Sequence, residues 1–445
     1  MIIGRLRFAL LTLLLLFPAA GAWALPQSAG VSNPTIVVAI IATLSGPAAM
    51  AGQDSVDGFT TAMRHLGGRF ANQEVRVMVL DDKGSPDTAL QITRRMLERE
   101  KVDFVLTAVS QAAMAAIIGP LTESRLFVLN LDAPPPRLFG SECSPWVFEV
   151  GTPVEATTEA LGVSLTQDHV RRIAVVGAPV PATTQAVAAI RRTWTGEVLQ
   201  VLTPRHGATT FAPEIARLRE LAPEAVVSLL TGGMGGAFAR QYGSSGFKPD
   251  IPLLGLWPSF ERPMLTAMPE QALDVLNVAP WSPDLDTPPN KRLNTDFEVE
   301  YGRPVTSWVA QGYDAGLLLD AAMKATGGRA GDRDAVRHAL RRAEFVSVRG
   351  PFRFDTNHVP SVNLYLRRVA RDAKGRLSNE MRTVLIRDWH SREVAQCPMR
   401  WVEEPIVQPG KPGSAPGPVK PGNPSPKPPV TAKPVRPPVA PAAHQ

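Results

Sequence analysis

Four groups of residues in this chain have side chains suited to chemistry, and their spacing limits what each can do. Ser110 lies in Ala108-Val109-Ser110-Gln111-Ala112, where a β-rich run gives way to a helical one, the setting of a hydrolase nucleophile elbow. Both glycines that should flank such a serine are alanine here, which crowds the strained turn. His169 and His206 follow in triad order but stand in contexts typical of surface or loop histidines. The cluster Gly232-Gly233-Met234-Gly235-Gly236 follows a strand-like run and opens a helical one, yet its spacing is not G-x-G-x-x-G. It predicts close approach of backbone to some ligand, with Met234 facing in, rather than a nucleotide site. Asp81 and Asp82 are adjacent at a strand end, where successive side chains point opposite ways, so they read as turn and cap formers rather than an acid/base pair. Cys143 and Cys397 are the only cysteines, far apart and without histidines at ligand spacing, which argues against a metal site. No cofactor is implied.

The elements around these residues follow a repeating order. Ile36–Ile41, Val75–Leu80, Val102–Val109 and Leu126–Leu131 are β-rich and apolar on both faces, as parallel strands buried beneath two helical layers should be. Ser85-Pro86-Asp87 starts a helix, with Ser as N-cap, Pro at the first position and an acid in the first turn. The rhythm restarts after Pro153. Arg172–Gly177, Val198–Thr203, Ala225–Thr231 and Ile251–Leu256 read as strands, with helices over Gln185–Arg192 and Ala212–Leu221. Arg292–Arg342 is largely helical, and Val362–Val369 with Arg382–Trp389 ends the body in strands. Two βαβ blocks, each the size of a lobe, fit the length of 445 residues.

Charge and the two ends exclude other classes. The net charge is +6, but residues 1–24 carry +2 and residues 405–445 carry +5, leaving −1 on the body. That body lacks the one-sided field nucleic-acid binding needs. Arg5 and Arg7, the apolar run Phe8–Phe17 and the site Ala22-Trp23-Ala24 read as a secretory signal peptide over residues 1–24, cleaved near Ala24; the run is too short for a membrane span. An exported compartment permits disulfides, so one Cys143–Cys397 bridge is the simplest pairing. Residues 405–445 hold 14 of the 43 prolines and form a basic, extended, disordered tail.

Thr43-Leu44-Ser45-Gly46-Pro47-Ala48, Leu80-Asp81-Asp82, Cys143-Ser144-Pro145, Gly246-Phe247, Gln311-Gly312-Tyr313-Asp314-Ala315 and Gly350-Pro351-Phe352-Arg353-Phe354-Asp355 occur in a distinctive order. Over about Thr35 to Arg400 the chain resembles the type I periplasmic solute-binding proteins of ABC importers, specifically the branched-chain amino acid and amide binding group. The resemblance implies an α/β fold of two Rossmann-like lobes with parallel central sheets, joined by three hinge crossovers near Val147–Gly151, Asn277–Pro280 and Asp355–Asn363. Lobe 1 is expected over residues 25–147 and 281–355, lobe 2 over 148–280 and 356–404. It further implies a non-catalytic monomer in the periplasm that traps a small organic solute between closing lobes and delivers it to ABC permease membrane subunits.

Residue by residue, the resemblance places ligand contacts at Met50, Ser110, Gln111, Asp132, Ala133, Trp257 and Trp308. Pro134 stands where amino acid binders offer a threonine to the substrate carboxylate, and Trp257 where an acid holds the ammonium. Proline has no donor, and an indole meets a cation only through its face. The expected solute is therefore an aromatic or branched carboxylic acid, or an amide, with an amino-acid-like ligand less well served. Two other readings stay open: a ligand sensor that signals to a receptor, and an exported serine hydrolase using Ser110.

Overall fold

The computed structural model describes residues 35–401 apart from Ala133, Pro249, Arg262, Pro263 and Pro269; the expected signal peptide and proline-rich tail lie outside the described residues. The strands β1 (Ile36–Ala42), β2 (Arg69–Phe70), β3 (Gln73–Asp81), β4 (Phe104–Ala108), β5 (Phe127–Asn130) and β6 (Val147–Glu149) form one sheet in the order β2-β3-β1-β4-β5-β6. All its pairings are parallel except that of β2 with β3. Every residue of β1, β4 and β5 is buried, which is why these strands read as unbroken apolar runs. β3 differs: neighboured on one side only by the two-residue β2, it leaves side chains partly exposed along its length, and Val79 is exposed. Hydrophobicity alone does not reveal that edge position.

Helices α1 (Ala49–His65), α2 (Pro86–Arg99) and α3 (Gln111–Glu123) link these strands. Ser85 caps α2, its hydroxyl accepting the Thr88 N–H, and Pro86 opens the first turn. After β6 the chain passes to α4 (Val154–Gln167), β7 (Arg172–Val176), α5 (Pro181–Thr193), β8 (Glu197–Leu202), α6 (Ala212–Leu221), β9 (Ala225–Ser228), α7 (Gly232–Gly243), β10 (Leu253–Leu256) and β11 (Leu276–Ala279). These strands pair in parallel, with β8 as a half-exposed edge.

The chain then returns to the first lobe. α8 (Pro288–Tyr301), α9 (Ser307–Ala325) and α10 (Arg333–Arg342) follow, and α9 packs along α1. Contact is so close that a Cβ on Gly58 would stand 2.1 Å from the Val309 carbonyl oxygen, and one on Gly312 would stand 2.1 Å from that of Ser55. In Gln311–Ala315, Asp314 accepts from Ser347 Oγ at 2.6 Å, Val348 N at 3.0 Å and Arg349 Nε at 2.7 Å.

The last strands, β12 (Phe352–Phe354), β13 (Pro360–Arg371) and β14 (Leu377–Trp389), join the second sheet antiparallel, with β13 beside β11. A boundary at residue 355 would leave β12 on the first lobe. Its pairing with β13 places it in the second sheet instead, because the turn at 355–359, closed by Asp355 N donating to the Val359 carbonyl at 2.9 Å, folds the two strands together. The turn beyond β12 still touches the first sheet, Glu149 N donating to the His358 carbonyl at 2.9 Å. A disulfide joins Cys143 to Cys397, with Cα atoms 5.6 Å apart.

Candidate functional site

The carboxyl ends of β1, β4 and β5 lie side by side, since Thr43 N donates to the Ala108 carbonyl and Leu131 N to that of Thr107. Three chain segments therefore emerge together: the turn from Thr43 into α1, the start of α3, and the loop from Leu131. The first is braced by Asp81, whose carboxylate accepts from Leu44 N at 2.9 Å, Ser45 Oγ at 2.8 Å and Lys83 N at 2.8 Å. Burial works against its charge, but these bonds prevail and hold the carboxyl below its ordinary range. Asp81 and Asp82 are thus loop formers, with Asp82 accepting from Gly84 N.

Ser110 caps α3, its Oγ accepting the Ala113 N–H at 3.2 Å. Gln111 Nε2 donates to the Pro134 carbonyl at 3.1 Å, so the second and third segments are tied together. Ser110, Gln111 and Ala112 are exposed, and the leading N–H groups of a helix have no acceptor within it. An exposed helix start of this kind favours an anion such as a carboxylate. Asp132 is half-buried, and its carbonyl accepts from the Asn130 side chain; Ala133 lies outside the described residues.

Met50, Trp257 and Trp308 come together. Trp257 and Trp308 form one buried cluster with Ala279, and Met50 and Ala51 pack against it. The indoles meet edge to face, ring centroids 4.6 Å apart and planes at 62°. Trp257 follows β10 of the second sheet, Trp308 lies in the first turn of α9, and Met50 in that of α1. The cluster therefore draws on both lobes. A cavity of about 300 Å³ also spans them, lined by Gln111, Pro134 and Pro136 on one side and Pro153, Ala182 and Gln185 on the other.

Met234 is not part of this cluster; it packs against the core of the second sheet. The glycine cluster has an internal cause at Gly235, where a Cβ would stand 2.2 Å from Ser259 Oγ, so packing within the lobe, not a ligand, demands glycine there. His169 lies in the turn entering β7 and His206 in the turn after β8, and among the described residues the Ser110 hydroxyl is hydrogen-bonded to Ala113 N rather than to either histidine. The serine's cap role accounts for it.

Sequence reasoning missed the buried polar groups beside the tryptophans. Glu261, four residues after Trp257, accepts from Ser307 Oγ at 2.8 Å and Arg367 Nη1 at 3.0 Å. Burial raises its carboxyl above the ordinary value, with Arg367 opposing. Nothing local in the sequence marks this contact, whose partners lie 46 and 106 residues away.

The sequence profile described as periplasmic binding protein matches residues 35–376. No curated protein sequence matches the chain. Among solved structures, an ABC transporter solute-binding protein from R. palustris in complex with benzoate is 24% identical, with 81% of this chain and 99% of that one covered at a TM-score of 0.72. A second, from Rhodopseudomonas palustris BisB5 in complex with 3,4-dihydroxybenzoic acid, is 22% identical over 80% and 98%, also at 0.72. The branched-chain amino acid transporter substrate-binding protein LivJ from Streptococcus pneumoniae, in complex with isoleucine, is 17% identical over 78% and 99%, at 0.69.

Proposed function

The chain belongs to the periplasmic binding protein family, and from that premise we propose that it is the solute-capturing subunit of an ABC importer whose ligand is a small aromatic carboxylic acid. The observation that carries the ligand class is the Met50, Trp257 and Trp308 cluster, an apolar and aromatic wall drawn from both lobes. The exposed start of α3, with Ser110 and Gln111, supplies the anchor for the carboxylate. Trp257 in place of an acid leaves an ammonium without a charged partner and so disfavours an α-amino acid. Structures of the same fold with benzoate and dihydroxybenzoate fit that preference, while one with isoleucine marks the alternative.

On this reading the protein works in the periplasm as a monomer. One lobe is built on the first sheet with α1–α3 and α8–α10, the other on the second sheet with α4–α7. The solute binds better to the closed arrangement than to the open one, and that difference drives closure. Membrane permease subunits then accept the closed form. Small-angle scattering with and without benzoate tests the cycle: compaction on addition is expected, and an unchanged radius of gyration at saturating ligand contradicts it.

A further inference from the structure

Two neighbouring hydroxyls at the start of α9 point to carboxylates on different lobes. Thr306 Oγ1 donates to Asp54 Oδ2 on α1 at 2.7 Å, while Ser307 Oγ donates to Glu261 Oε1, beyond β10 of the second sheet, at 2.8 Å. Trp308 is the next residue in the chain. All four polar residues are buried.

We propose that Glu261 is a positioning residue of the cleft: by accepting the Ser307 hydroxyl it fixes the first turn of α9 against the second lobe, and so sets the edge-to-face angle at which Trp308 meets Trp257. The proposal rests on the reading that this tryptophan pair faces the solute.

Glu261 is itself held firmly. Arg367 Nη1 donates to it at 3.0 Å and also to the Trp281 carbonyl at 3.0 Å, and the same guanidinium donates to Asn277 Oδ1 from Nε at 2.9 Å and from Nη2 at 2.7 Å. Asn277 donates on to Asn379, whose amide reaches the Phe260 carbonyl at 2.9 Å. The carboxylate therefore has one address in the second lobe, and a hydrogen bond to it passes that address to α9. On the other side, Asp54 is paired with Arg303 at 2.5 Å, which anchors Thr306 to α1 just as firmly. A helix start pinned at two successive residues cannot rotate about its axis, so the Cα–Cβ direction of Trp308 is set, and its packing against Trp257, Ala279 and Met50 selects the rotamer. An edge-to-face aromatic wall distinguishes a flat ring from a saturated one of similar size, which gives the arrangement a role in selecting the solute.

The test uses the whole mature chain and two readouts. The first needs no ligand, because the pair packs on Ala279 at the end of β11, in the expected 277–280 crossover where opening displaces the lobes least: indoles in this contact couple their electronic transitions, giving a paired circular-dichroism band that Trp257→Phe removes. Ser307→Ala is expected to weaken that band and Ser307→Thr to restore it, with thermal midpoints within about 4 °C of wild type. The second is the ratio of affinities for benzoate and cyclohexanecarboxylate, expected to narrow by about two- to tenfold in Ser307→Ala and to recover in Ser307→Thr. An unchanged band in folded Ser307→Ala overturns the proposal whatever binds. A weakened band, with no benzoate binding even in wild type, upholds the positioning role and sinks the aromatic-acid reading. Should Ser307→Ala not fold, Ser307→Cys, of similar volume and much weaker as a donor, reports the same band.

Discussion

The side-chain amide of Asn130 donates to the carboxylate of Glu149 at 2.7 Å, where the chain leaves the first sheet for the second. Glu149 is fully buried; burial raises its carboxyl well above the ordinary value, and the Asn130 bond opposes only part of that. An acid with a raised folded value binds its proton more tightly folded than unfolded. It therefore leaves stability intact below its unfolded value and lowers it as pH rises through the interval towards the folded one. Glu149→Gln, which keeps an acceptor for Asn130, should be more stable than wild type at about pH 8, with the gain fading towards about pH 4. Denaturant unfolding across that range checks it, and a gain that grows on acidification would contradict it.

The α1–α9 contact leaves no room for a methyl group. Gly312→Ala brings Cβ against the Ser55 carbonyl, a backbone atom that cannot swing aside, and should cost about 3 kcal/mol in urea unfolding. Gly233→Ala, in the first turn of α7 with nothing within 4 Å of the new Cβ, should instead gain about 0.5 kcal/mol.

Cys143 and Cys397 close a loop of 254 residues. The chain-entropy account gives about 5 kcal/mol for such a loop. Cys143→Ser with Cys397→Ser should lose a large part of this, with unfolding then insensitive to reductant, whereas wild type with reductant should approach the double variant.

Trp308→Ala should weaken benzoate binding by about tenfold or more, and Trp257→Ala likewise, since each removes one face of the proposed wall. Calorimetric titration reads both. Met234→Ala, on the second-lobe core, should cost stability and leave affinity unchanged.

Much of the fold was legible because local signals agreed with the global arrangement. The cap at Ser85, the buried runs of β1 and β4 and the span of α6 each follow from a few adjacent residues. The run at β3 reads as buried on both faces because hydrophobicity does not encode sheet order, and its partial exposure, like that of β8, comes from standing at or near an edge. Met50, Trp257 and Trp308 were separate candidates that the structure gathers into one cluster, whereas Ser307, Glu261 and Arg367 had no local signature. Buried polar partners are chosen by tertiary geometry, and their spacing along the chain carries no period.

The ligand class is tested most directly by the thermal midpoint of the mature chain in the presence of benzoate, 4-hydroxybenzoate, leucine or isoleucine. A ligand that binds only the folded state adds about 2.7 kcal/mol at a hundred times its dissociation constant, a shift well above detection. The account predicts that the aromatic acids raise the midpoint and the two amino acids do not. Stabilisation by leucine or isoleucine, with the aromatic acids silent, would contradict it.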